Sequence, residues 1–371
     1  MKFEIKREEI IDALSIGGQM AGKAKTVPIL EFAKVLVQGP EVVVSSFNLE
    51  TSITKYGTTI SADDHASFMV NADELLKAVR AIEDDTVVCE VNSSTLSVKH
   101  KSGLMTMAIY DSKSYPDVIE GDALKKNSYE VDANVLKEWL TVGANFVSKD
   151  DFRPTLKGML IYAKNGVMGC CATDAHKLYT DSEHKSFNSE FEAVLPSSAI
   201  RPLLSVINNN DNGLVQMDVD DKNFTFRLNG CSLVCRITEG VYPNFSAIIP
   251  KENNTFVTTS TNDVLNSIRR ASMFANKVTS QVNITIGGDK MLLACSDMDF
   301  TKQATEKVNV SHVGDSFVIG AKADYFSICL SSIFSDKVTI TFKDKFKPMV
   351  FKDDMRPNKT ILLMPMLVSE N

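Results

Sequence analysis

Several things are scarce in this chain, and each scarcity closes off a class of function. Its 371 residues hold no apolar stretch near the ~18 needed to span a bilayer. The opening MKFEIKREEI is charged and alternating, so it does not read as a signal peptide. The seven cysteines (Cys89, Cys170, Cys171, Cys231, Cys235, Cys295, Cys329) are an odd number without CxxC spacing, and reduced thiols in a cytosolic protein are the simplest account. Cys231 and Cys235 lie four apart in a strand-like stretch and can share a face, which alone does not make a metal site or a bridge. His65, His100, His176, His184 and His312 are scattered without metal-ligand spacing. There is no phosphate loop and no GxGxxG, and nothing implies a cofactor. A basic excess is missing too: the formal net charge of −7 argues against a conventional basic DNA-binding domain, though not against an uneven distribution of charge.

What is present is repetition. FEIKREEIIDAL (Phe3 to Leu14), YEVDANVLKEWL (Tyr129 to Leu140) and FVTTSTNDVLNSI (Phe256 to Ile268) each pair a short alternating strand with a helix. The helices carry apolar residues at i and i+4: Ile10/Leu14, Leu136/Leu140 and Val264/Ile268. Asp132 and Thr261 stand near helix starts, where capping needs short polar side chains. A second strand-to-helix element recurs as MVNADELLKAVRAI, VLPSSAIRPLLSVI and VIGAKADYFSICLSSI. Pro202 inside the middle copy predicts a helix that starts late or kinks, because an interior proline costs about 3 kcal/mol. Between the two helices an apolar hairpin recurs, with Asn48, Asp174 and Asp297 at its turn. Tyr115-Pro116 and Tyr242-Pro243 punctuate the ends of two copies.

The chain therefore reads as three units of about 123 residues, with boundaries at 1–122, 123–250 and 251–371. The fold class is α+β, each unit setting two helices against antiparallel sheets. Links between strands are too short for the crossovers a parallel sheet requires. Features present in all three copies serve the fold, and single-copy features are the better functional candidates. The most conspicuous of these is the apolar row from Ile361 to Val368, close to an end where chains are usually polar and frayed.

Together with the repeat, the pieces MKF, VPIL (Val27 to Leu30), FRPTLKGML (Phe152 to Leu160), ATDAHKL (Ala172 to Leu178), YPNFSAIIP (Tyr242 to Pro250) and LLMPML (Leu362 to Leu367) give a resemblance that covers the whole chain. It resembles the bacterial sliding-clamp family, the beta subunits of the replicative DNA polymerase. The resemblance implies a head-to-tail homodimer closing a ring around duplex DNA, with helices lining the hole and sheets on the rim. It implies no enzymatic activity, a cytoplasmic location at the nucleoid, and partners in the polymerase catalytic subunit, the clamp loader and other proteins carrying clamp-binding motifs.

A ring around DNA requires inner helices less acidic than the remainder. Residues 6–21, 71–82, 132–149, 197–208, 261–277 and 321–333, the candidate helices, sum to +2 and leave −9 elsewhere. The candidate DNA contacts are Lys23, Lys25, Lys77, Arg80, Lys137, Lys149, Arg153, Arg201, Arg269 and Arg270. The plainer reading of each is a solvated helix face. None is placed to read bases, so binding should be non-specific and salt-sensitive.

The resemblance also implies a pocket for partner motifs, which usually carry a glutamine with apolar or aromatic anchors. Carried over, its residues are Leu156, Thr173, Ala175, His176, Lys177, Leu178, Pro243, Ile248, Pro348, Leu362, Met364, Pro365 and Met366. Methionines suit exchanging ligands. Where the family often has glycine and arginine, this chain has Ala175 and Lys177, and lysine lacks arginine's planar fork. The plainer reading of the tail is a final core strand, and one strand can do both. A rival reading takes Asp174 and His176 as acid and base in the cleft of a three-unit α+β enzyme. Against it, Asp174 recurs as Asn48 and Asp297, which favours a turn role.

Closure needs adhesive edges. GLMTMAIY (Gly103 to Tyr110) is apolar at nearly every position, which suits a strand that is central or covered. By resemblance, Met105 and Met107 meet Met273 and Phe274 of the other subunit. The alternative places Met273 and Phe274 in the core.

Overall fold

The computed structural model describes residues 1–23, 27–116, 127–208, 213–297 and 300–368. Among them are six α-helices: α1 (Arg7–Gly17), α2 (Ala72–Arg80), α3 (Ala133–Gly143), α4 (Ser197–Asn208), α5 (Thr261–Ser272) and α6 (Ala323–Ser331). The chain gathers into two compact units, Met1–Glu138 with Leu195–Ile237, and Trp139–Val194 with Thr238–Asn371.

The first unit holds two antiparallel sheets. A five-stranded sheet ends on strand Gly103–Ala108, and a nine-stranded sheet continues from strand Thr51–Thr58 into strand Cys231–Arg236. That seam joins residues far apart in sequence, with Cys231 opposite Lys55 and Cys235 opposite Thr51. Helices α1 and α2 pack on one another. Their apolar stripes, Ile10 and Leu14 on α1 and Leu75 and Val79 on α2, bury against Phe3, Ile5, Val35, Val44, Val87 and Leu96. Fully burying each such side chain contributes roughly 1.5–3 kcal/mol.

The second unit repeats the plan. Its nine-stranded sheet passes from strand Lys177–His184 to strand Thr360–Leu363, then to Met349–Asp353 and Lys337–Phe342. Its four-stranded sheet ends on Lys302–Asn309 and Phe317–Lys322. Helices α5 and α6 pack on one another.

Local chemistry sets the helix limits. Asn71 caps α2 by accepting from Glu74 N–H at 3.1 Å. Asp132 caps α3 through Asn134 N–H at 2.8 Å. At α5 the cap is Ser260, which accepts from Asp263 N–H, while Thr261 instead donates its hydroxyl to the Ser335 carbonyl. Helix α4 does not start late: it begins at Ser197 and runs through Pro202. The proline deprives only the first-turn carbonyl of Ser198 of its donor, and Leu203, Val206 and Ile207 bury the turns beyond. Two helices are shorter than the periodicity suggests. Helix α3 stops at Gly143 rather than 149, and α5 stops at Ser272 rather than 277.

Candidate functional site

The turn Thr173–Lys177 organises one end of the second unit's large sheet. Asp174 Oδ1 accepts from His176 N–H and Lys177 N–H, both at 2.9 Å. Ala175 takes a φ of 74°, the left-handed region that favours glycine. Glycine would take this conformation without cost, and here the alanine bears the strain. Asn48 makes the same local turn, accepting from Thr51 N–H at 2.8 Å. Asp297 ends its strand buried and accepts from the Asn276 side chain.

Lys177 departs from the expectation of a cation presented to a partner. Its side chain is buried, with Nζ 2.5 Å from Asp174 Oδ2. The ammonium lies 4.7 Å from the centroid of the Tyr325 ring and 5.5 Å from that of Phe146. Its charge is neutralised inside the protein. His176 is exposed, with its ring centroid 6.1 Å from that of Tyr325. Asp174 is thus committed to a turn and an ion pair, and the pair Asp174/His176 does not form an acid–base couple.

The apolar row at the tail divides in two. Thr360–Leu363 is fully buried between two strands, with Leu178 opposite Leu362 on one side and Val350 opposite Leu362 on the other. Met364 then turns outward while its N–H donates to the His176 carbonyl at 2.8 Å. Met366 bridges to Gly320 of the smaller sheet, and the Gln281 side chain donates to the Leu367 carbonyl. A side chain at Gly320 would meet the Met366 carbonyl oxygen at 2.7 Å, so glycine is required for this crossing. Met364 remains 40% exposed and Leu367 83%.

Leu178 and Leu362 join Leu160, Cys171, Val194 and Val350 in one apolar cluster, with Tyr162, Tyr242, Phe245 and Ile249 partly buried over it. Beside it opens a cleft of about 530 Å³ lined by Leu160, Tyr162, Tyr242, Pro243 and Phe245. Burial pushes the Tyr162 hydroxyl up to about 12, and the Cys171 thiol and Tyr242 hydroxyl are also driven up by burial. Of the other anticipated pocket residues, Leu156, Thr173 and Pro348 are buried, Ile248 is exposed, and Pro365 is half-buried. The sequence reading passes over Tyr325, Phe146 and the hairpin tip around Phe346.

The basic candidates are scattered by environment. Lys77 and Arg80 are exposed in the last turn of α2, and Arg80 donates to Ser15 of α1. Arg201 is exposed on α4, and Lys137 is half-buried on α3. Arg269 and Arg270 are exposed in the last turn of α5, but Arg270 forms a two-pronged pair with Glu306, at 2.6 Å and 3.1 Å. Lys149 lies past the end of α3, and Arg153 stands 3.7 Å from Asp150. Lys23 is exposed beyond α1, and Lys25 lies outside the described residues. Met273 and Phe274 are not core residues: they are 71% and 41% exposed just past α5. Met105 and Met107 are half-buried on the terminal strand of the five-stranded sheet. All seven thiols are buried and unpaired, and no cluster of metal-ligating side chains occurs among the described residues. No helix among them is long and apolar enough to cross a membrane.

Strand–helix units repeated along the chain, antiparallel sheets shared between successive repeats and an apolar tail tied across two sheets define a DNA-clamp protein. The chain belongs to the DNA polymerase III beta subunit family. The models of that family's N-terminal, central and C-terminal domains match residues 1–119, 130–244 and 246–367. The beta sliding clamp of Pseudomonas putida is 18% identical over 99% of this chain and all of its own length. That of Streptococcus pneumoniae is 24% identical, with 93% of each chain covered. The Thermotoga maritima beta subunit superposes with a TM-score of 0.92 at 19% identity, covering 99% of this chain and all of that one. A Pseudomonas aeruginosa clamp bound to griselimycin gives 0.93 at 18%, with the same coverage. Clamps of this family are processivity factors without catalytic activity. The enzyme reading built on Asp174 and His176 is therefore overturned.

Proposed function

We propose that two copies of this chain join head to tail into a ring that encircles duplex DNA and tethers the replicative polymerase. Its three repeats are bounded at 1–122, 123–250 and 251–371. Its helices face the duplex, and the non-specific phosphate contacts are Lys23, Lys25, Lys77, Arg80, Lys137, Lys149, Arg153, Arg201, Arg269 and Arg270. A clamp loader opens the ring in the cytoplasm, at the nucleoid. The apolar cluster around Leu178 and Leu362, with the Met364–Met366 tail, takes linear motifs of the polymerase and other partners.

The observation that carries closure is a pair of open sheet edges. Among the described residues, strand Gly103–Ala108 has no neighbour on its outer side, and neither does Lys302–Asn309. Near each edge stand exposed apolar side chains, Leu104 at 57% and Met273 at 71%. Long exposed apolar edges are normally blunted or covered, and a head-to-tail contact with a fitting rotation closes into a ring.

The test is topological. Loaded onto a nicked circular plasmid, the protein stays bound through gel filtration and falls off once the circle is linearised. Equal retention on both forms refutes encirclement. For the pocket, deletion of Met364 to Asn371 abolishes binding of a clamp-motif peptide, and unchanged affinity refutes that assignment.

A further inference from the structure

A partner segment seated at the peptide site meets the rim of that site as well as its apolar cluster. The hairpin tip Lys343–Pro348 joins strands Lys337–Phe342 and Met349–Asp353. Its sequence, Lys-Asp-Lys-Phe-Lys-Pro, exposes three lysines and leaves Phe346 63% accessible. The one acid in the tip, Asp344, is committed to the turn: its Oδ1 accepts from Phe346 N–H at 2.7 Å and Lys347 N–H at 3.0 Å.

Register brings this tip to the exposed part of the tail. Met349, the first residue of its strand, lies opposite Leu363, the last of the tail strand, so the tip leads into its strand at the same end from which Met364 and Pro365 lead away. On the other side Lys177 lies opposite Leu363, and the Met364 N–H reaches the His176 carbonyl. Further along, Met366 bridges Gly320, two residues before Lys322. The Lys322 ammonium stands 4.6 Å from the Tyr325 ring centroid, and Tyr325 in turn neighbours His176. The tip, Lys322 and the imidazole of His176 thus surround Met364 to Met366. Among the described residues no carboxylate pairs with Lys322, Lys343 or Lys347. Lys177, by contrast, is spent internally on Asp174. Among the described residues, an exposed acid close to Lys322 in sequence is Asp324 in the first turn of α6. In a chain of net charge −7, the rim of this one site is locally cationic.

We propose that this rim selects partner motifs whose apolar anchors are flanked by aspartate or glutamate, with Lys322, Lys343 and Lys347 as the selecting residues. The inference rests on the peptide-site reading, and complementarity of exposed charges acts mainly on specificity and encounter rate. A second class of ligand, the phosphates of DNA, would also suit lysines beside an exposed phenylalanine. The direct register of the tip with the tail favours the peptide.

Two labelled peptides test this, sharing a glutamine and leucine and phenylalanine anchors but flanked by aspartates in one and asparagines in the other. Fluorescence anisotropy on the full chain at about 50 mM salt should show the aspartate peptide binding roughly three- to tenfold tighter. The difference should vanish near about 500 mM salt, where the Debye length falls to a few ångströms. Lys343→Glu with Lys347→Glu should remove the preference and leave the asparagine peptide unchanged. Lys322→Glu should reduce the preference by itself, which guards against a misfolded double variant, and matching thermal melts confirm folding. Equal binding of both peptides overturns the proposal while leaving the site intact. Failure of both peptides to bind overturns the site and the proposal together. If the lysine variants keep the preference but lose retention on nicked circles, the tip is a DNA contact and the proposal is wrong.

Discussion

Replacing Lys359 with methionine should be among the more damaging single changes in the second unit. Lys359 and Asp353 are both shut off from solvent, and their Nζ–Oδ2 distance is 3.2 Å. The carboxylate also accepts from Phe334 N–H at 2.9 Å, the Ser335 hydroxyl at 2.8 Å and Met355 N–H at 3.2 Å. The ammonium sits 3.8 Å from the Phe334 ring centroid. Methionine matches the stem but leaves the carboxylate buried without a counter-ion. Breaking a buried pair from one side costs about 3–5 kcal/mol. The three remaining hydrogen bonds to Asp353 put the expected loss near ~3 kcal/mol, roughly two decades in the folding equilibrium. Removing both charges, with Asp353→Asn and Lys359→Met, should cost less than the single change.

Acidity supplies the sign. Burial pushes the Asp353 carboxyl up, but the hydrogen bonds from Phe334 and Ser335, with Lys359, outweigh it and hold it below its ordinary value of 3.8. A depressed carboxylate stabilises the fold above its unfolded value, and that contribution is lost as pH falls through the folded one. In Lys359→Met the lowering by the ammonium is lost while burial still acts, so the carboxylate stabilises the fold less above its unfolded value than it does in the parent. The deficit of the variant should therefore be full at pH 8 and shrink toward pH 4. Urea unfolding at the two pH values reads both quantities. A variant within ~0.5 kcal/mol of the parent, or a deficit equal at both pH values, refutes the reasoning.

Three further outcomes are expected. Met273→Asp with Phe274→Asp should sediment as a folded monomer, and a persisting dimer would dismiss these residues as the interface. Asp174→Ala should destabilise by about 2–4 kcal/mol in a melt, because it strands the buried Lys177 ammonium and frees two turn N–H groups. Asp174→Asn should recover the turn but not the ion pair. Finally, burial holds the thiols of Cys89 and Cys231 near about 12 and that of Cys295 near about 11. A thiol reagent at neutral pH should label the native protein slowly at every cysteine and all seven rapidly in denaturant; fast native labelling would contradict the packing.

The sequence makes the helices and the repeat legible because both leave local patterns. Ile10/Leu14 and Val264/Ile268 announce buried stripes directly. Helix ends are less visible: Lys149 and Lys277 extend an apparent periodicity that the backbone abandons at Gly143 and Ser272. Lys177 is the sharpest surprise. A lysine in a turn reads as exposed, and only aromatic rings from positions 146 and 325 with the carboxylate of Asp174 make its burial tolerable. None of the long-range partners leaves a mark near residue 177. The tail strand is readable in kind, since a run such as Ile361 to Leu363 calls for cover, but its two neighbours, and the exposure of Met364 and Leu367 beyond it, are not.

The seams within the large sheets carry a consequence for how such a chain can be cut or recombined. The middle third of the sequence is stitched to both neighbours: strands Asn127–Asp132 and Cys231–Arg236 lie in the sheet begun by the first third, and Lys177–His184 lies in the sheet ended by the last. A fragment spanning that third alone would expose raw hydrogen-bonding borders at Cys231–Arg236 and Lys177–His184 together. Successive repeats are thus sewn together along shared sheets, and grafting between relatives should keep both strands of each seam, Thr51–Thr58 with Cys231–Arg236 and Lys177–His184 with Thr360–Leu363, from the same parent.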